Sequence, residues 1–202
     1  MNKKMAAYLL EIKAVELNPE NPFTWASGIK SPIYCDNRLI MSYPEIRSYA
    51  ADQLTELIKT NFAEAEIIAG TATAGIPHAA WVSERLNLPM NYVRSSAKKH
   101  GKTNQIEGKV TPGKKAVVIE DLISTGGSSI DAVKALEEQG IKVLGVAALF
   151  TYGFKKAEQQ FKEAGVPYYT VTNFDTLIEQ ASVLNYISQD QVNELAKWKS
   201  EF

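Results

Sequence analysis

Residues 116–129 constrain the fold more than any other stretch of this chain of 202 residues. The apolar run 116–119 is mostly β-branched and shows little polar alternation, which predicts a buried strand of a parallel sheet. Two carboxylates, Glu120 and Asp121, follow it, and a turn of small residues then leads into a helical pattern from Ile130. A strand, a small-residue turn and a helix start in this order predict an anion cradle, formed by backbone N–H groups and the positive end of the helix dipole.

The turn from Ser124 to Ser129 is rich in glycine and hydroxyl residues. Gly126 and Gly127 permit positive φ and close approach of the backbone to a ligand, while the serines and Thr125 can add hydroxyl donors. Neither Gly-x-x-x-x-Gly-Lys-Ser/Thr nor Gly-x-Gly-x-x-Gly occurs here, which excludes the common nucleotide-binding loops. Carboxylates beside a phosphate repel it unless they bind ribose hydroxyls, Mg²⁺ or both. These residues predict a ribose phosphate site; the alternative is a plain strand–turn–helix whose acid pair is solvated.

This stretch resembles the phosphoribosyl-pyrophosphate (PRPP) binding motif of type I phosphoribosyltransferases: an apolar strand, two acids, and a loop ending in Thr-Gly followed by small residues. The resemblance implies the type I phosphoribosyltransferase fold, an α/β fold with a doubly wound, mainly parallel sheet flanked by helices and a small N-terminal hood. It implies PRPP contacts along one continuous segment, with Asp121 among the catalytic residues. That segment comprises Glu120, Asp121, Leu122, Ile123, Ser124, Thr125, Gly126, Gly127 and Ser128.

Periodicity and turn residues predict the remaining elements. Helices are predicted at 3–17, 42–60 with Ser42 as N-cap, 78–86, 129–139, 154–164, 175–181 and 188–199. Strands are predicted at 66–69, 89–93, 143–150 and 167–171, in addition to the strand that begins at residue 116. Strands that alternate with helices through short loops independently predict a parallel, doubly wound sheet. We expect an N-terminal helix and hood over residues 1–42 and a PRPP-binding α/β core over 43–202.

Composition limits the classes of function. The net charge is −1 and 45% of the residues are hydrophobic, which predicts a soluble protein without a general attraction to nucleic acid or to an anionic membrane. The single cysteine, Cys35, excludes an internal disulfide and suits a reducing compartment. No apolar run approaches the roughly 18 residues that span a bilayer, and the N-terminus does not read as a secretory signal, so we expect a cytoplasmic protein. Two scattered histidines and one cysteine do not predict a zinc site.

Residues 23–35 predict a small hairpin, with strands over 23–27 and 31–35 around a turn at Gly28. Composition alone favours an ordinary surface hairpin. However, the pattern Phe-Thr-x-x-Ser-Gly-x-x-Ser-Pro resembles the hood of orotate phosphoribosyltransferases, which covers the base site. The resemblance implies orotate contacts at Ser124, Tyr34 and Lys30. Ala26 stands where some members of the family carry Lys.

Residues 70–77 form a second group of small residues between a strand and a helix, which predicts a phosphate loop or a βα turn without a ligand. The family places pyrophosphate here, which implies PRPP contacts at Thr71, Ala72 and Thr73 and a cis peptide bond between Ala72 and Thr73. Ala74 occupies a position where some relatives carry Lys. His78, at the start of the following helix, is expected to be structural.

The segment 94–108 lacks apolar periodicity and carries a formal charge of +3, from Arg94, Lys98, Lys99 and Lys102 against Glu107. It predicts a lid that closes over a polyanion, or a solvated basic loop. Its pattern Arg-x-x-x-Lys-x-His-Gly resembles the catalytic loop of orotate phosphoribosyltransferases. The resemblance implies that Arg94, Lys98 and His100 are catalytic and contact the pyrophosphate end of PRPP, with Lys99 adding charge, and that the lid reaches the partner's active site in a homodimer.

The resemblance implies an enzyme that converts orotate and PRPP to orotidine 5′-monophosphate and pyrophosphate, with Mg²⁺ as cofactor. The metal is expected to be held through PRPP and water, with help from Glu120 and Asp121, and not by a dedicated protein site. Two alternatives stay open: a phosphoribosyltransferase acting on a purine, and a PRPP-sensing regulator. Some relatives bind the orotate carboxylate with an Arg near Thr151, where this chain offers only Lys155 or Lys156 nearby.

Overall fold

The computed structural model describes residues 1–25, 28–95 and 105–202. Its central sheet contains six strands: β5 (Ile67–Thr71), β6 (Met90–Val93), β7 (Ile106–Glu107), β8 (Lys115–Ile123), β9 (Lys142–Thr151) and β10 (Tyr168–Asn173). Their spatial order is β10-β9-β8-β5-β6-β7. Every neighbouring pair is parallel except β6 and β7, which are antiparallel.

Helices cover both faces of this sheet. They are α1 (Lys3–Glu11), α2 (Pro44–Asn61), α3 (Gly75–Leu86), α4 (Gly127–Glu138), α5 (Lys155–Ala164), α6 (Phe174–Val183) and α7 (Gln189–Ser200). The side chains of β8 alternate between the two faces. Val117 and Ile119 join a core with residues of α1, α2, α3, α6 and α7, whereas Ala116 and Val118 join a second core with residues of α4 and α5. The predicted doubly wound α/β fold is therefore confirmed.

The N-terminal region differs from its prediction. The helix predicted over 3–17 ends at Glu11, because Lys13 takes a left-handed conformation with φ 56° and β1 (Val15–Leu17) pairs antiparallel with β4 (Ile33–Cys35). The predicted single hairpin is split, since β2 (Phe23–Thr24) pairs instead with β3 (Lys30–Ser31).

The start of α2 was also predicted wrongly. Residues Asn37–Ser42 form a 3-10 helix, Tyr43 occupies the N-cap position of α2, and Pro44 begins the helix. Proline suits the first helical position because its φ is already helical and its missing N–H has no partner there. The predicted N-cap, Ser42, is therefore the last residue of the 3-10 helix and not the N-cap of α2.

The boundary at residue 42 stays a prediction, but the hydrophobic core crosses it. Met5, Leu9, Ile33 and Ile40 belong to the same buried cluster as Phe174 of α6. The hood is thus held on the core by apolar burial, the largest favourable term in folding. No helix in the part of the chain that the structure describes is long and apolar enough to cross a membrane.

Candidate active site

The candidate active site lies at the carboxyl edge of the central sheet, where ligands bind in open parallel sheets. Strand β8 lies directly beside β5, so the turn after β8 and the loop after β5 are neighbours. Both segments predicted to hold phosphates therefore meet at one place, although about 50 residues separate them in the chain.

The two adjacent carboxylates have different surroundings. Glu120 is 5% exposed, and its Oε2 accepts hydrogen bonds from the hydroxyls of Ser128 and Ser129, each at 3.2 Å. Asp121 is half-buried, and burial together with the Glu120 carboxylate raises its pKa to about 8. Glu120 therefore fastens the first turn of α4 to the end of β8. It also occupies the hydroxyls of Ser128 and Ser129, which were predicted as donors to a phosphate.

The charge of Asp121 affects the pKa values of two side chains that line the cleft. Burial raises the pKa of the Cys35 thiol above its ordinary range, and the Asp121 charge adds to this. Burial and then the Cys35 charge raise the pKa of the Tyr152 hydroxyl, and the Asp121 charge contributes as well. Both side chains line the larger cavity of the site. Asp121 is thus the carboxylate of the pair that acts on the cavity, while Glu120 serves the fold.

The turn after β8 depends on Gly126. This residue has φ +88°, and a Cβ at its position would lie 2.9 Å from the ring of Phe161. The left-handed conformation begins α4 at Gly127, so the first N–H groups of the helix face the turn. Ser124 is half-buried and Thr125 is exposed at this end, whereas Ile123 is buried in the core and its carbonyl oxygen accepts hydrogen bonds from Thr151 and Tyr152.

The loop after β5 is bound to β8. The hydroxyl of Thr71 donates to the carbonyl oxygen of Ile119 at 3.1 Å, and the backbone N–H of Ala72 donates to the carbonyl oxygen of Val93. A side chain at Gly75 would clash with the Thr71 hydroxyl and the Ile119 carbonyl. The predicted cis bond between Ala72 and Thr73 is present. Thr71 is buried, Ala72 is half-buried and Thr73 is exposed.

Arg94 lies at the first end of the predicted lid. Its backbone N–H donates to the carbonyl oxygen of Gln105, and the Gln105 side chain returns a bond to the carbonyl oxygen of Arg94. The guanidinium lies 3.8 Å from the Glu107 carboxylate. Both ends of the lid are therefore fixed beside the loop after β5. Lys98, Lys99 and His100 lie outside the described residues.

A small cavity of about 120 Å³ connects these parts. Its lining combines the loop after β5, the base of the lid and the start of α4: Thr71, Ala72, Val93, Arg94, Ser95, Gln105, Ser128, Asp131 and Ala132. The structure thus places Arg94 and Ala72, both predicted to contact pyrophosphate, in one cavity with Ser128 of the turn after β8.

A larger cavity of about 460 Å³ lies between the hood and the turn after β8. It is lined by Thr24, Trp25, Tyr34, Cys35, Leu122, Ser124 and Tyr152. Tyr34 and Ser124 were predicted to contact a base. Lys30 does not line the cavity, but its Nζ donates to Thr24 Oγ1 at 2.7 Å and so lies at the rim.

Sequence reasoning missed Thr24, Trp25, Cys35 and Tyr152 as lining residues. Thr24 and Trp25 belong to the hood pattern itself, so the alternation of side chains along that strand could have predicted that one of them faces the cavity. Tyr152 follows β9, the strand beside β8, and the rule that adjacent parallel strands end at one edge was sufficient to place it here. Cys35 carried no sequence signal beyond its position next to Tyr34.

The acid pair suits Mg²⁺ as a supporting group. Oxygen donors are what this ion prefers, and it usually keeps water molecules and substrate phosphates as further ligands. No three His, Cys, Asp or Glu side chains converge as a metal site within residues 1–25, 28–95 and 105–202. Asp121, half-buried beside the cavity, fits a role as a ligand to metal-bound water or to ribose hydroxyls.

The predicted structural role of His78 agrees with its surroundings. It is 2% exposed and its ring lies edge-on to Trp81, with centroids 5.2 Å apart. Burial lowers its pKa to about 4, so the imidazole is neutral at physiological pH.

Comparison with known proteins assigns this site to a class. A family model for the phosphoribosyl transferase domain matches residues 42–183, and the chain belongs to this family.

Individual relatives show which members of this family the chain resembles. The orotate phosphoribosyltransferase of Staphylococcus saprophyticus is 60% identical over 199 residues, covering 98% of each chain. That of Bacillus pumilus is 60% identical over 201 residues, covering 100% of this chain and 95% of the relative. The crystal structure of orotate phosphoribosyltransferase from Aeropyrum pernix superposes with a TM-score of 0.79 at 30% identity, covering 91% and 99%. The chain therefore groups with the orotate phosphoribosyltransferases, and the predicted family is confirmed.

Proposed function

We propose that this chain transfers the phosphoribosyl group of PRPP to orotate in the cleft between the hood and the carboxyl edge of the sheet, with Mg²⁺ as cofactor. One observation carries the proposal: Ser124 belongs to the phosphate turn and also lines the 460 Å³ cavity. The base site and the phosphate site therefore share a wall, as a reaction that joins a base to a ribose phosphate requires. The volume falls within the roughly 300–1,000 Å³ usual for small-molecule sites.

The turn 124–128 holds the 5′-phosphate. Its backbone N–H groups and the start of α4 supply positive partial charge without a cation, and Gly126 allows the chain to close around the anion. The hydroxyls of Ser124 and Thr125 add donors, since those of Ser128 and Ser129 are bonded to Glu120.

Asp121 orients the ribose and stabilises the charge that develops on it. In a dissociative transfer the bond to pyrophosphate breaks early and the ring carbon becomes positive. The bound ribose and the developing cation favour the carboxylate form of Asp121, which burial beside Glu120 otherwise disfavours. Magnesium, when bound, neutralises charge on the pyrophosphate leaving group.

Orotate lies against Tyr34, Cys35 and Tyr152, with Ser124 at its polar edge. Its carboxylate needs a positive partner, and Lys30 is the cation that a hydrogen bond to Thr24 holds at the cavity rim. We assign carboxylate recognition to Lys30. With Lys30 in this role, the carboxylate needs no arginine near position 151, where some relatives carry one. Thr151 has a structural role instead: its hydroxyl donates to the Ile123 carbonyl and accepts from the Gly153 N–H.

The segment 94–108 acts as the lid, with Arg94, Lys98, Lys99 and His100 at the pyrophosphate end of PRPP. Closure excludes water, which would otherwise hydrolyse PRPP. We further propose that the chain forms a homodimer in which each lid completes the partner's site. A cytoplasmic location is consistent with the lone thiol, Cys35.

The test follows the loss of orotate absorbance on addition of PRPP and Mg²⁺, with purine bases in parallel. We expect turnover of orotate alone, dependence on Mg²⁺, and a loss of about 100-fold or more in Lys98→Ala and Asp121→Asn. Lys109→Ala, at an exposed position just beyond the lid, is the matched charge control. Turnover of a purine, or tight PRPP binding without turnover, would overturn the assignment.

The homodimer is tested by mixing two inactive variants. If the lid acts on the partner's site, dissociating and reassociating Lys98→Ala with Asp121→Asn restores one intact site in each mixed dimer. About a quarter of wild-type activity should return at equal ratios, since half of the dimers are mixed and each has one working site. No recovery would show that the lid acts on its own subunit.

A further inference from the structure

Tyr152 lines the base cavity together with Trp25 and Tyr34 of the hood, and hydrogen bonds fix its backbone. Its N–H donates to the carbonyl oxygen of Ile123, and the preceding Thr151 bonds the same carbonyl through its hydroxyl at 3.1 Å. The backbone of Tyr152 is therefore tied to the residue that precedes the phosphate turn.

The ring of Tyr152 is held by other aromatic rings. Phe154 stacks on it with centroids 5.1 Å apart and an interplanar angle of 18°, and Trp25 of the hood lies 5.4 Å away. Trp25 also lines the cavity, and its indole N–H donates to the carbonyl oxygen of Ile33. Two cavity walls, one from the hood and one from the core, thus meet in one aromatic cluster.

Trp198 of α7 packs against both parts of this aromatic cluster, the one from the hood and the one from the core. Its ring lies edge-on to Trp25 at 6.1 Å and edge-on to Phe154 at 5.8 Å. It also packs on Phe174 at 5.9 Å and on Phe202 at 5.1 Å. Trp198 does not line the cavity, yet it contacts Trp25 and Phe154, two of the rings that pack on Tyr152.

Polar contacts fix α7 against the same loop. Lys199 pairs with Asp175 at 2.8 Å, and its Nζ lies over Gly153, 3.1 Å from the position of a Cβ there. Lys155 donates to the carbonyl oxygen of Ser200. The loop 152–155 is therefore held between β9 and the last turn of α7.

We propose that Trp198 is a positioning residue for the base site: it sets the separation of Trp25 and Tyr152, and hence the affinity for the base, without touching the substrate. The inference rests on the proposed function, because it assigns the 460 Å³ cavity to orotate. The inference predicts that a change at Trp198 alters the KM for orotate and leaves the KM for PRPP nearly unchanged. The phosphate turn and the loop after β5 have hydrogen bonds of their own, through Glu120 and Thr71.

The test measures KM for each substrate in Trp198→Ala and Trp198→Phe. We expect the alanine variant to raise KM for orotate about tenfold, which corresponds to about 1.4 kcal/mol, and to leave KM for PRPP within about twofold. The phenylalanine variant keeps a ring against Trp25 and Phe154 and should recover most of the loss. Equilibrium dialysis of labelled orotate should show the same order of affinities without turnover.

Leu195→Ala is the matched control. Leu195 is fully buried one turn earlier on the same helix, so its truncation destabilises α7 without removing a ring from the cluster. We expect it to lower the melting temperature as Trp198→Ala does but to leave KM for orotate within about twofold. Equal increases of both KM values in Trp198→Ala, or an equal orotate effect in Leu195→Ala, would overturn the inference. A wild-type chain that does not turn over orotate would instead overturn the proposed function.

Discussion

Asn37 donates a hydrogen bond from Nδ2 to the backbone carbonyl oxygen of Asp121 at 2.8 Å, between residues 84 positions apart in the chain. Asn37 is 1% exposed, and its Oδ1 accepts from the thiol of Cys35 at 3.4 Å. One buried amide therefore connects the 3-10 helix Asn37–Ser42, the cavity-lining Cys35 and the acid pair.

Asn37→Ala should weaken both the fold and the site. It leaves the carbonyl of Asp121 without its partner, which costs about 1–3 kcal/mol, and it frees the backbone that carries the Asp121 carboxylate. We expect this loss in urea unfolding and a fall in kcat/KM for both substrates. Asn61→Ala is the control, because Asn61 makes the same type of bond, to the Leu57 carbonyl, at an exposed position. Equal stability losses in the two variants would contradict the buried role of Asn37.

Gly126→Ala should be more damaging than its backbone conformation alone explains. The left-handed φ costs a non-glycine residue about 1–2 kcal/mol, and the new Cβ would also press on Phe161 at 2.9 Å. Gly113→Ala separates the two effects, since Gly113 has φ +82° with nothing within 4 Å. We expect Gly126→Ala to lose about 1–3 kcal/mol more than Gly113→Ala in urea unfolding, and to bind PRPP more weakly. Similar losses would show that Phe161 moves aside freely.

His78 should make stability depend on pH. Its pKa is about 4 in the fold and about 6.5 in an unfolded chain, so between these values the unfolded state binds a proton that the folded state does not. Stability should therefore rise with pH from about 4 to about 6.5, by about 3 kcal/mol, and the Phe variant should lack this rise.

The measurement is urea unfolding of wild type and His78→Phe across this range. In parallel, the imidazole proton resonance that disappears in the variant should titrate near pH 4. A titration near 6.5 would show that His78 is not buried as described.

Cys35 provides a direct probe of the cavity. Burial raises the pKa of its thiol, and the thiolate is the reactive form. We expect a disulfide reagent to modify native protein at least about tenfold more slowly than urea-unfolded protein at pH 8, and orotate to slow it further. As the chain has one cysteine, Cys35→Ser should abolish the signal. Native protein that reacts as fast as unfolded protein would contradict the burial.

The sequence predicted the structure best at positions where the backbone conformation or the packing strongly favours one type of residue. The run at 116–119 and the glycine turn predicted a buried strand and a helix start, although β8 continues through the two acids to Ile123. Gly126 shows why the turn was predictable: its φ of +88° favours glycine, and a Cβ there would lie 2.9 Å from the ring of Phe161. Ser128 shows the limit. Its hydroxyl suited a phosphate equally well in the sequence, and only the folded position of Glu120 reveals that the hydroxyl is already occupied.

The hood was harder to predict, because pairing between distant short strands leaves little periodic signal. Val15–Leu17 continues the apolar spacing of α1, yet it pairs with β4, so tertiary pairing overrides the local helical pattern. The role of Trp198 was similarly hidden. Its contacts with Trp25 and Phe154 join residues from three separate parts of the chain, which spacing along one segment cannot reveal.

The bond from the Thr71 hydroxyl to the Ile119 carbonyl has a consequence for substrate length. It locks the two anion-binding loops to adjacent strands, whose separation is fixed at about 4.8 Å by backbone pairing. We therefore expect a ribose with phosphate at both ends to contact both loops at once, and a sugar monophosphate to contact only one. On this expectation, the strand spacing of the sheet itself selects a sugar that carries phosphate at both ends.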